Sequence, residues 1–111
     1  MDGAAVLQFT LSVVPGSVLR VLDKARLKIE DIDLFVFHQA SAIVLEEVSR
    51  KLKIPPERFP SNLATYGNTV SCSIPLLLKG LAESGKISPG MKILMCGFGV
   101  GLSWASCIVK I

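Results

Sequence analysis

Histidine, tryptophan and tyrosine each occur once in this sequence, and aromatic residues make up only 6% of it. Lysine and arginine outnumber aspartate and glutamate by just 12 to 9, a net charge of +3 scattered along the chain. With no basic stripe and no aromatics interleaved among cations, the sequence has nothing to track phosphates or stack bases, so no nucleic-acid partner is expected. No apolar run approaches the length of a membrane span and no signal peptide opens the chain, so no membrane association is expected either. Cys72, Cys96 and Cys107 are odd in number and show no C-x-x-C spacing. They read as buried, reduced thiols in apolar surroundings, which fits a cytoplasmic protein rather than disulfide bridges or metal ligands. No metal or cofactor is expected. Internal repeats, low-complexity tracts and interdomain linkers are missing too.

What the sequence has is apolar surface. At 111 residues it is long enough for one domain with a real core, and 50% of its residues are hydrophobic. A mean hydropathy of +0.55 is high for a free-standing domain and implies a surface that expects a partner.

The stretch that organises the rest runs from Tyr66 to Leu78. It opens on turn residues and continues to about Ser84 as a helix. Thr69 and Ser71 are both candidate N-caps, because a hydroxyl can accept the unpaired N–H groups of a first turn. Pro75 falls near that turn, where its missing N–H costs little. Ile74, Leu76, Leu77, Leu78 and Leu81 then point nearly all round the axis, the mark of an inner helix covered by other layers.

Before that helix, residues 1–27 are ambiguous. Leu7, Phe9, Leu11 and Val13 alternate with polar residues as a strand would, whereas Val6, Thr10, Val13, Val14, Val18, Val21, Leu22 and Ala25 mark one helical face. Helix is predicted from Pro15 to Ala25, with Pro15-Gly16 a kink or restart. Glu30 to Asp33 reads as an exposed polar turn, and Leu34 to Phe37 as a short apolar strand of a buried parallel sheet. A helix follows from about Ala42 to Lys53, with Val44, Leu45, Val48 and Leu52 inside. Its wet side carries the i,i+4 pairs Glu46–Arg50 and Glu47–Lys51. Phe59 to Leu63 is a candidate short strand. Met91 to Cys96 and Leu102 to Ile111 are the last two strands. The order predicts an α/β layered unit with a mixed, mostly parallel sheet flanked by helices and an antiparallel pair at its end.

Three places have the residues for chemistry. His38 stands at the end of a predicted strand, where ligands bind in parallel α/β sheets; the plainer reading is a histidine satisfied by backbone. Asn68 opens the central helix, and adjacent strands would bring it near His38. An imidazole N–H and an amide N–H aimed at one point make an oxyanion-type site, although a turn asparagine is the plainer reading. Gly97-Phe98-Gly99-Val100-Gly101 has the glycines of a phosphate loop but leads into a strand, not a helix. It is either a tight hairpin or a loop whose N–H groups approach a ligand.

Phe37-His38-Gln39-Ala40, Tyr66-Gly67-Asn68-Thr69 with Ser73-Ile74-Pro75-Leu76, and Gly97 to Trp104 together resemble the C-terminal half of β-ketoacyl-ACP synthase III, a thiolase-fold condensing enzyme. Ile32-Asp33 and Gly85 to Gly90 fit as well, so the resemblance covers nearly the whole chain as one domain, residues 1–111. It implies two similar halves packed in five layers, with the helix after Asn68 in the shared middle layer. It also favours helix from Ala4 to Val14, and it makes Met1 a candidate internal methionine of a longer chain.

The same resemblance implies an enzyme with a Cys-His-Asn triad, whose cysteine is acylated from acyl-CoA before malonyl-ACP decarboxylates and attacks. His38 and Asn68 match the histidine and asparagine, and Phe98, Gly99, Val100 and Gly101 the substrate-binding oxyanion loop. The nucleophilic cysteine lies in an N-terminal half that this chain lacks, so the chain alone is expected to be inactive. Acyl-CoA, acyl carrier protein and that missing half are the expected partners, and a homodimer masking the central helix is the expected assembly. Val100 replaces a glycine of the pattern, and Ser41-Ala42-Ile43 replaces a run that includes a carrier-docking basic residue. A non-catalytic thiolase-fold binding module and a non-condensing acyl transferase are the alternatives.

Overall fold

The structure, a computed structural model, describes residues 3–69, 72–99 and 103–111. Helix α1 (Gly3–Ala25) leads through a 3-10 turn to strand β1 (Leu34–Phe37), and helix α2 (Ala42–Leu52) follows. A second 3-10 turn, the short helix α3 (Leu63–Tyr66) and helix α4 (Ser73–Glu83) come next, then strands β2 (Lys92–Gly99) and β3 (Ser103–Lys110). The sheet order is β1-β2-β3. β1 pairs parallel with β2, Leu34 opposite Ile93 and Phe37 opposite Cys96, while β2 pairs antiparallel with β3 from Lys92–Lys110 to Gly99–Ser103.

Strand alternation sorts the core into two layers. Phe35, Phe37, Leu94, Cys96 and Phe98 point to one face, where Val14, Val18 and Leu22 of α1 and Val44, Val48 and Leu52 of α2 cover them. Leu34, Val36 and Ile93 point to the other, under Leu77 and Leu81 of α4. β1 is buried at all four positions, as a strand packed on both faces must be. α1 also reaches β3: Phe9 meets Trp104 edge-on at 5.8 Å, and the Ser17 and Ser106 hydroxyls lie 2.7 Å apart.

The helical alternative holds for the N-terminal segment, and α1 runs unbroken through Pro15. Other expectations change. Phe59 to Leu63 is not a strand, so among the described residues parallel pairing is confined to β1 and β2; Pro60 has no N–H to give a ladder, and α3 begins at Leu63. Ile32, expected in an exposed turn, is fully buried because the turn at Ile29–Asp31 folds it under α1 and α2. On α2, Glu47 pairs with Arg50 one turn on, while Lys51 instead donates to the Leu11 carbonyl at 3.3 Å. α4 starts at Ser73, with Cys72 as its N-cap and no side-chain cap bond. The Thr69 hydroxyl is buried without a partner among the described residues, and the other expected cap, Ser71, lies outside them. Of the cysteines only Cys96 is buried. Cys107 is on the face of β3 turned away from α1, and Cys72 stands at a helix start, so both are exposed.

Candidate functional site at the end of β1

β1 ends at Phe37, and the N–H of His38 extends its ladder by donating to the Cys96 carbonyl at 2.9 Å. The backbone then turns sharply, the Ala40 N–H donating to the His38 carbonyl at 3.0 Å. The half-buried imidazole is held on two further sides. Its ring meets Phe98 edge-on at 5.3 Å, and Nδ1 lies 2.6 Å from the Ser73 hydroxyl at the start of α4. Burial pushes its pKa below the ordinary value, which favours the neutral ring near pH 7.

Gln39 is almost wholly buried beside it. Its Nε2 donates to the Phe37 carbonyl at 2.8 Å, and its Oε1 accepts the Ser61 hydroxyl at 2.6 Å and the Asn62 N–H at 3.2 Å. That carbonyl oxygen anchors the segment entering α3. α3 ends on Gly67, which takes φ +65 and ψ −158, a region essentially reserved for glycine. The chain thereby swings Asn68 back over the strand end. Asn68 is exposed, and its Nδ2 donates to the Ala40 carbonyl at 3.4 Å.

The structure therefore gathers His38, Asn68 and Phe98 around the end of β1, with Asn68 arriving from a one-turn helix instead of from the expected strand. Gly99 is exposed at the end of β2, and Val100 and Gly101 lie outside the described residues. Sequence reasoning gave no role to Ser73, Gln39 or Ser61. Gln39 and Ser73 fall inside the blocks that carry the family resemblance, whereas nothing in the sequence marks Ser61, between Pro60 and Asn62. Among the described residues no group of three or more His, Cys, Asp or Glu side chains is placed to hold a metal. Burial pushes the Cys96 thiol up to about 11, which makes it a poor nucleophile.

Residues 22–111 match the family model for the C-terminal domain of 3-oxoacyl-[acyl-carrier-protein (ACP)] synthase III. The chain belongs to the 3-oxoacyl-ACP synthase III family. A chloroplastic β-ketoacyl-ACP synthase III of Arabidopsis thaliana is 44% identical over 110 residues, 99% of this chain and 27% of the relative. The synthase III of Streptococcus uberis is 42% identical over all of this chain and 35% of its own. A crystal structure of 3-oxoacyl-ACP synthase III from Pseudomonas aeruginosa superposes with a TM-score of 0.94 at 39% identity, over 99% of this chain and 35% of that one. The thiolase-like synthase III fold expected from the resemblance is the fold found. The chain spans about a third of the length of the synthase III relatives it matches.

Proposed function

We propose that residues 1–111 are the C-terminal domain of a condensing acyltransferase that joins a primer carried as acyl-CoA to malonyl-ACP, in fatty acid or related biosynthesis. In this reading the primer sits as a thioester on a cysteine supplied by an N-terminal half. Breaking the malonyl C–C bond releases CO₂ and leaves its electron pair as an enolate on the second thioester. The enolate carbon then attacks the acyl carbonyl, and the cysteine thiolate leaves.

His38 and Asn68 serve the enolate. Charge develops on the thioester oxygen only as CO₂ departs, so two fixed N–H donors aimed there lower the barrier more than they strengthen ground-state binding. A neutral imidazole, which burial favours, still donates one N–H, and an amide donates at any pH. The observation that carries the reading is the turn at the end of β1, where the Asn68 amide reaches the carbonyl of Ala40 two residues beyond His38. In this reading Phe98 and Gly99, at the end of β2, border the substrate, and Val100 and Gly101 belong to the same substrate-binding run. The reading needs no cofactor, and it places the enzyme in the cytoplasm as a homodimer that meets acyl-CoA and acyl carrier protein.

The test uses the full-length protein that contains this chain. His38→Ala and Asn68→Ala are each expected to lower malonyl-ACP decarboxylation by about 10²–10³-fold, the effect of removing one oxyanion donor. Mass spectrometry should still find the acylated cysteine in both. Loss of acylation in both variants would overturn the assignment, as would ketoacyl product formed by the pure 111-residue chain.

A further inference from the structure

The Ser73 hydroxyl is buried, with 2% of the residue exposed, and it faces two groups. The Gln39 N–H donates to its oxygen at 3.2 Å, and His38 Nδ1 lies 2.6 Å away. A serine hydroxyl has one proton to give, and among the described residues Nδ1 is the one acceptor placed to take it. If Nδ1 carried the ring proton, two N–H groups would converge on the oxygen and the buried hydroxyl proton would lack a partner, which is unfavourable.

We propose that Ser73 is a positioning residue whose hydroxyl donates to His38 Nδ1 and so locks the neutral imidazole as the Nε2–H tautomer. The relay runs from the Gln39 N–H through the Ser73 oxygen to Nδ1. Its ends are fixed by the β1 exit and the first turn of α4, two elements that pack on each other. Edge-on contact with Phe98 restrains the ring plane from another side. The outcome is an Nε2–H that points away from the serine as a donor of fixed direction. Only the use made of that N–H rests on the proposed condensing function; the tautomer does not.

The chain has a single histidine, so ¹⁵N-histidine NMR of the 111-residue protein reads the tautomer without assignment. At pH 8 the ring should show a pyrrole-type Nε2 and a pyridine-type Nδ1. An Nδ1–H signal, or a solution-like average of the two forms, would overturn the proposal on the unmutated protein alone. Ser73→Ala should move the signals towards that average and Ser73→Thr should restore the lock; unchanged signals in Ser73→Ala would also overturn it. In the full-length enzyme, Ser73→Ala should lower decarboxylation kcat by about 10- to 100-fold with KM little changed, by analogy with the loss of the outer partner of a metal-bound histidine. A lost lock with unchanged decarboxylation would leave the tautomer assignment standing and refute His38 as the enolate donor.

Discussion

The ammonium of Lys51 lies 3.3 Å from the carbonyl oxygen of Leu11, the oxygen that Pro15 leaves without its usual N–H partner four residues on. A side chain from α2 thus closes a gap in the ladder of α1, and this helps α1 run through its proline unbroken. Lys51→Met keeps the aliphatic stem and removes the donor. It should lower unfolding free energy by about 0.5–1 kcal/mol in urea titrations, the net worth of one exposed hydrogen bond. An unchanged midpoint would show that water serves the Leu11 carbonyl equally well.

Gln39 is almost wholly buried, so its loss strands several partners at once. Gln39→Leu, close in volume, leaves the Phe37 carbonyl, the Ser61 hydroxyl and the Asn62 N–H without their bonds. The expected loss is about 2–4 kcal/mol. Hydrogen exchange should accelerate across residues 61–68 ahead of β1. Uniform acceleration over the whole chain would mean that Gln39 supports the core and not the approach to Asn68.

Backbone strain gives a matched pair of substitutions. A Cβ on Gly67 would meet nothing within 4 Å, so Gly67→Ala isolates the conformational cost of φ +65 with ψ −158. That cost is about 1–3 kcal/mol. Lys53 ends α2 in the left-handed region at φ 58, where Lys53→Gly should raise stability by about 0.5 kcal/mol after the added freedom of the unfolded chain is counted. Thermal melts that rank both variants on the same side of the parent would contradict this.

His38 should also leave a signature in the pH dependence of folding. Its pKa is lowered on folding from an ordinary value of 6.5 because burial disfavours the cation. The unfolded chain therefore binds the proton more readily, and stability rises with pH between the two values. The His38 contribution is complete above the unfolded pKa and is lost as pH falls through it towards the folded one. Tm should drop further between pH 7.5 and 5.5 in the parent than in His38→Gln. Equal drops in the two proteins would show that carboxylates alone set the acid limit.

The parts of this fold legible in the sequence are those that periodicity alone decides. Leu34 to Phe37 and Met91 to Cys96 announce buried strands because both faces must be apolar, and Val44, Leu45, Val48 and Leu52 announce α2 by their spacing. The N-terminal helix was ambiguous because its apolar residues satisfy both periods, and tertiary cover by β3 decides the matter. Phe59 to Leu63 reads as a strand only from the Phe and Leu at its ends; Pro60 has no N–H to give a ladder, and the segment leads into α3 instead. The site divided in the same way. His38 is visible as the sole imidazole at a strand end, whereas nothing in the sequence marks Ser73 as the partner of that ring, because the contact joins residues 35 apart.

Parallel pairing of β1 with β2 has a consequence for the order in which this chain acquires structure. Leu34–Phe37 is synthesised long before its partner Lys92–Gly99, and that partner must cross three intervening helices to reach it. Helices form from local contacts, but this strand pair demands closure of a long loop first, which slows folding. On a ribosome, the run Leu-Phe-Val-Phe would wait as an uncharged, β-prone tetrapeptide until its partner strand β2 had been made. That interval is when a chaperone would matter most.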